Sequence, residues 1–206
     1  MKKFITTITL QVEGAKKFYY KDALGNGGER VLTSFPIIQQ ISDVVTPGEH
    51  IKIITLLTGN LQSKTNLEVF KDELEALKTK KGFTYELIIV EKQENEEIET
   101  IIKLFSDIIS VVEDGDRLYA CITYGTKPIP IVTTMALRYA YKIKTDVEIE
   151  ALIYGLIYRS PDKEPEAVIY DTTALFYIDS MVDRIAAMGV NDPEAALKAL
   201  LGTEGL

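Results

Sequence analysis

Apolar runs of strand length take turns with longer stretches of helical period along nearly the whole chain, and few folds accept that alternation. Strand, helix and strand again is the unit of a parallel sheet, whose neighbouring strands need a crossover that is most often helical. Residues 4–10 read as the first strand, with Thr6, Thr7 and Thr9 favouring extended backbone. Residues 51–58 suit a strand covered on both faces, and residues 85–90, 117–123, 147–158 and 167–170 read as further strands. Helices are expected over 34–45, 63–80, about 128 or 130 to 143, and 172–188. The clearest helix carries Ile98, Ile101, Ile102, Phe105, Ile108, Ile109 and Val112 at helical spacing. Glu94, Glu96 and Glu97 precede it, as suits the positive end of a helix dipole.

One stretch leaves this pattern. Residues 16–22 and 30–33, separated by Gly25-Asn26-Gly27-Gly28, read as a hairpin, because these turn residues tolerate positive φ. The expected fold is therefore α/β: a Rossmann-like, mostly parallel sheet flanked by helices, with a β-hairpin excursion after the first strand. Residues 1–190 form one ligand-binding domain in this reading, and 191–206 a short C-terminal helix and tail. That last helix opens at Asp192-Pro193-Glu194, an N-cap with proline at the first helical position, and ends at Gly202.

Composition narrows the function. A chain of 206 residues with 46% apolar side chains can bury a core as one domain. No apolar run approaches the roughly 20 residues of a membrane span. Met1-Lys2-Lys3 leads into alternating Ile and Thr rather than a signal peptide, so a cytoplasmic protein without membrane contact is expected. One cysteine, Cys121, and one histidine, His50, argue against a disulfide framework, a metal centre or a redox cofactor. A net charge of −8 disfavours sequence-independent binding of duplex DNA, yet leaves room for a local anion site.

Such a site is suggested by residues 117–135, where a strand runs through Tyr124-Gly125-Thr126-Lys127 into a helix containing Pro128 and Pro130. Glycine allows close approach, free N–H groups and the dipole at the helix start favour negative charge, and Lys127 adds a mobile cation. The loop has neither the spacing of dinucleotide folds nor a Walker loop. A tight turn with a solvated lysine accounts for the same residues.

Four segments together resemble the CARF family, the CRISPR-associated Rossmann-fold domains that sense cyclic oligoadenylates. They are Lys3-Phe4-Ile5-Thr6-Thr7; Ile54-Thr55-Leu56-Leu57-Thr58-Gly59-Asn60; the stretch from Asp116 through Cys121, Tyr124, Gly125 and Lys127 to Pro130; and Tyr154-Gly155 with Tyr170-Asp171-Thr172-Thr173. The likeness extends from the first strand to about Met188. Many relatives read Asp-x-Thr-His-Gly-x-Arg-x-x-Pro in the third segment. Here Cys121, Tyr124 and Lys127 stand in place of the aspartate, histidine and arginine, so the charge is kept and any role of the histidine is not.

The resemblance implies a homodimer with a two-fold symmetric ring ligand lying across its axis. On that expectation Gly125, Thr126 and Lys127 hold phosphates, with Tyr124 beside them among the ligand-binding residues, Thr7, Thr9, Leu10 and Gln11 line the ring, and Thr58, Gly59 and Asn60 approach an adenine or ribose. β propensity explains the threonines equally well, and a strand-ending turn explains residues 58–60. The function implied is a sensor of cyclic tetra- or hexa-adenylate in a type III CRISPR antiviral system, controlling an effector carried on a longer chain or separately. No effector is recognisable after Met188. A stand-alone, metal-independent ring nuclease is the alternative, with Lys127 stabilising the developing charge. An unrelated Rossmann-like enzyme using a mononucleotide or phosphorylated metabolite is disfavoured because the sequence shows no His, Cys or carboxylate cluster beside the loop, and a DNA-binding regulator suits neither the acidic balance nor a tail whose one basic residue is Lys198. Tyr139, Tyr141, Tyr154, Tyr158 and Tyr177 read as core or dimer packing.

Overall fold

The computed structural model describes residues 1–11, 16–23 and 28–202. In chain order the strands are β1 (Lys2–Thr7), β2 (Phe18–Tyr19), β3 (Lys21–Asp22), β4 (Leu32–Thr33), β5 (His50–Thr58), β6 (Thr84–Lys92), β7 (Arg117–Cys121), β8 (Glu148–Ser160) and β9 (Lys163–Asp171). The helices are α1 (Pro36–Val44), α2 (Leu61–Lys81), α3 (Ile98–Ser110), α4 (Pro128–Ile143), α5 (Thr173–Met188) and α6 (Pro193–Leu201).

The sheet runs β3-β9-β8-β7-β1-β5-β6. β6, β5, β1, β7 and β8 pair in parallel, and β9 returns antiparallel along β8. Numbered among themselves by chain order, the five parallel strands stand 3-2-1-4-5, the Rossmann arrangement. The fold is thus Rossmann-like, with the expected hairpin present as β2 paired to β4.

Strand alternation explains the two-sided core. Phe4, Ile51, Ile53 and Leu57 face one side, where Ile37, Ile38 and Ile41 of α1 and Leu67, Phe70 and Leu74 of α2 cover them. Ile5, Ile54 and Leu56 face the other, under Leu104 and Ile108 of α3 and Val132, Ala136 and Leu137 of α4. Buried Lys3 at the amino end of β1 is held by Asp116 at 2.7 Å and Glu113 at 2.6 Å, which satisfies an otherwise costly interior charge.

Some boundaries differ from the sequence reading, for local reasons. The strand expected through Thr123 ends as β7 at Cys121, because Thr123 turns its hydroxyl to accept the Gly155 N–H at 2.7 Å. The strand expected over 167–170 is longer, since antiparallel pairing with β8 continues to Ser160↔Lys163. The excursion is shorter than a simple hairpin: Lys21–Asp22 leaves it and pairs parallel with β9 at the sheet edge. The turn at Gly25, Asn26 and Gly27 lies outside the described residues, as does the tail beyond Gly202. No described helix is long and apolar enough to cross a membrane.

Candidate functional site

The connection leaving β1 runs toward β5 and the connection leaving β7 runs toward β8, so the strand order reverses between β1 and β7. In open α/β sheets that reversal opens a crevice beyond the carboxyl ends of the strands, where ligands bind. The segments after β7, β1 and β5 lie side by side along this edge, so the fold gathers all three groups of sequence-derived site residues there. His50 begins β5 at the opposite edge and hydrogen-bonds Thr84.

Gly125 is the tightest point of the β7–α4 loop. Its φ is 109°, and a Cβ there would lie 3.1 Å from Ile129 Cβ and 3.2 Å from Thr7 Cγ2. A side chain is excluded both by backbone strain and by the contact with β1. Lys127 is exposed at the N-cap of α4, with no ion-pair partner among the described residues.

The start of α4 offers fewer donors than expected. Pro128 and Pro130 have no N–H, and Ile129 N–H is already given to Thr126 O at 2.9 Å. The cradle expected from the first helical amides is therefore not available. What remains is the loop itself: no hydrogen bond among the described residues takes the N–H of Gly125, Thr126 or Lys127. The helix dipole and the Lys127 ammonium add to them.

Tyr124 points away from the crevice. Its hydroxyl donates to Ser34 O at 2.7 Å and its ring meets Phe35 edge-to-face at 6.1 Å. Burial pushes its phenol well above the ordinary tyrosine range, and pushes neighbouring Tyr20 up to about 12. Tyr124 therefore offers the crevice its backbone and packs its side chain in the core.

Thr7, the last residue of β1, and Thr9 beyond it are buried, Leu10 is half-buried and Gln11 is exposed. Thr9 Oγ1 accepts from Gln11 N–H at 3.3 Å. Asn66 of α2, fully buried, fastens this segment by donating from Nδ2 to Thr9 O at 2.7 Å and Gln11 O at 3.3 Å. Sequence reasoning missed Asn66. Its signal was a polar residue on the core-facing side of a helix, in register with Leu67, Phe70 and Leu74.

After β5, Asn60 is the N-cap of α2, accepting from Ser63 N–H at 2.9 Å. Gly59 N–H goes to Lys92 O at 2.9 Å. Thr58 Oγ1 and Ser63 Oγ are buried without a partner among the described residues. Glu96 bridges to the β7–α4 loop: its Oε1 accepts from Thr126 Oγ1 at 2.8 Å and from Lys92 Nζ at 3.0 Å. Partial burial raises its carboxyl pKa, but the hydrogen bonds from Lys92 and Thr126 and the Lys92 charge together leave it below the usual value.

The same edge continues into an apolar groove of about 520 Å³ between α4 and α5, lined by Ile122, Pro130, Ile131, Met135, Leu175 and Phe176. Ile131, Met135 and Leu175 are each more than half exposed. Arg138 closes one side, paired with Asp179 at 3.0 Å and Asp183 at 2.5 Å. Tyr141, Phe176 and Tyr177 pack edge-to-face on one another and Tyr139 on Phe105, whereas Tyr154 and Tyr158 stay exposed on β8.

The sequence matches no protein-family model and no curated protein. Assignment of a function thus rests on the site. At its centre are a glycine loop whose amides, like the ammonium of Lys127, have no partner among the described residues, and a helix N-terminus at the switch point of a Rossmann-like sheet. Cys121, in the strand leading there, is buried with its thiol pushed up by burial, and fills space. Asp171 accepts from Thr173 N–H at 2.8 Å beside Thr172, the N-cap of α5.

Proposed function

We propose that this chain is a cyclic-oligoadenylate sensor domain of a type III CRISPR antiviral system, acting in the cytoplasm as a homodimer and controlling an effector. The observation that carries the reading is the coincidence of two independent features at one place. The segment most similar to the CARF family, Asp116 to Pro130, supplies the loop beside the β1–β7 switch point, where an open α/β sheet takes its ligand. A ring with several phosphates suits a loop that offers amide donors and one cation per chain. A two-fold arrangement would supply each contact twice. The exposed apolar face of Ile131, Met135 and Leu175 beside the loop favours a second chain as its cover.

Calorimetric titration with cyclic tetra-adenylate and cyclic hexa-adenylate tests the reading. One ring should bind at one ligand per two chains, and Lys127→Ala should weaken it about tenfold or more, the scale of one charge-assisted contact. Silence toward both rings from folded dimer would overturn the function and leave the fold. Linear products recovered after the titration would move the protein from sensor to ring nuclease.

A further inference from the structure

We propose that Glu96 is the affinity-setting residue of the anion loop: its carboxylate occupies the Thr126 hydroxyl that an anionic ligand needs, and the ligand must displace it. The inference rests on the proposed ligand site and adds a residue and a mode of discrimination to it.

The β6–α3 loop, residues 93–97, is held from beneath by Lys92, whose side chain is 2% exposed. Lys92 Nζ donates to Gln93 O at 3.2 Å, to Asn95 O, and to Glu96 Oε1 at 3.0 Å. With Lys92 anchored in this way, Glu96 reaches across to the next loop and accepts from Thr126 Oγ1 at 2.8 Å. Asn60 Nδ2 fixes the neighbouring Glu94 at 3.3 Å. An internal carboxylate thus sits on the Thr126 hydroxyl, while the other hydroxyl of the Tyr124-Gly125-Thr126-Lys127 loop, that of Tyr124, is turned away to Ser34 O.

A phosphate approaching Thr126 meets a carboxylate already there, and like charges at hydrogen-bond distance repel. A ligand with one phosphate has few contacts to offset that repulsion, whereas a ring contacting both chains has many. Glu96 therefore raises the threshold for binding, rejecting mononucleotides more strongly than rings. When it is displaced, residues 93–97 keep the Lys92 contacts to the Gln93 and Asn95 carbonyls and lose their bridge to the β7–α4 loop.

Two measurements on the full chain test this. Without ligand, amide hydrogen exchange over residues 93–97 should speed up several-fold in Thr126→Val and in Glu96→Ala. In calorimetric titrations, Glu96→Ala should bind the favoured ring, cyclic tetra- or hexa-adenylate, about three- to tenfold tighter than wild type, and should gain measurable affinity for AMP. Glu96→Gln keeps an acceptor for Thr126 without the charge and should fall between. Wild-type ring binding that Glu96→Ala leaves unchanged or weakens overturns the inference alone. If neither wild type nor Glu96→Ala binds a ring, the inference falls together with the ligand site. Unchanged exchange in both variants overturns the bridge itself.

Discussion

Gly155 of β8 lies against Pro36, the first residue of α1, so closely that a Cβ built on it would sit 2.4 Å from Pro36 Cγ and 3.1 Å from Pro36 Cβ. Proline's ring cannot swing aside as a flexible side chain would. The third neighbour, Thr123 Oγ1 at 3.3 Å, is the acceptor of the Gly155 N–H, so β8, α1 and the end of β7 are locked at one point.

Gly155→Ala should accordingly destabilise the fold by about 1–3 kcal/mol, the usual cost of an extra methyl in a packed interior. Urea unfolding monitored by circular dichroism measures it. A change below about 0.5 kcal/mol, the scatter of ordinary surface substitutions, would show that α1 shifts freely from the sheet.

Asn66→Ala should loosen the segment after β1. It leaves the carbonyls of Thr9 and Gln11 without their side-chain donor, for a loss of about 1–3 kcal/mol in global stability. Faster amide exchange over residues 8–11 should accompany it. Equal loss of protection across the whole sheet would mean that Asn66 serves the core in general and does not position this loop.

Stability should fall in alkali through the phenols of Tyr20 and Tyr124. Burial raises both in the folded protein, Tyr20 from 10.0 to about 12 and Tyr124 higher still. A raised folded value means the stabilising contribution is complete below the unfolded value near pH 10 and is lost as pH climbs toward the folded value. The urea midpoint should therefore drop between pH 10 and pH 12. The drop should be smaller in the double variant Tyr20→Phe/Tyr124→Phe, which separates it from lysine deprotonation. An identical drop in both proteins would remove the tyrosines as its cause.

Much of this architecture was readable locally. The periodicity of Ile98 through Val112 foretold α3, and the apolar run at 51–58 foretold β5, because a side chain's face follows directly from helical or strand geometry. The pairing of Asp192 with Pro193, and Gly202 after it, marked both ends of α6, since capping is decided within a few residues. The glycine-lysine loop ahead of α4 was legible for the same reason.

Other features depended on partners far along the chain. Two prolines at the start of α4 were visible, but only the loop's folded path shows that Ile129 N–H turns back to Thr126 and leaves that helix end short of donors. Tyr124 could have faced either way. Its direction is decided by Ser34 and Phe35, about ninety residues earlier. The bridge between Glu96 and Thr126 and the hold of Asn66 on Thr9 likewise join segments with no local relation.

The sequence by itself determined which stretches are strand or helix, which faces are apolar and where a phosphate-sized loop could form, because periodicity, capping and turn chemistry act over a few residues. Only the tertiary structure decided the order β6-β5-β1-β7-β8, and with it the reversal between β1 and β7 that gathers the loops into one crevice. Local periodicity marks which residues are strand but not which strands are neighbours. The choice of neighbours is made by long-range packing and by contacts such as Gly155 on Pro36, which no local window of sequence contains.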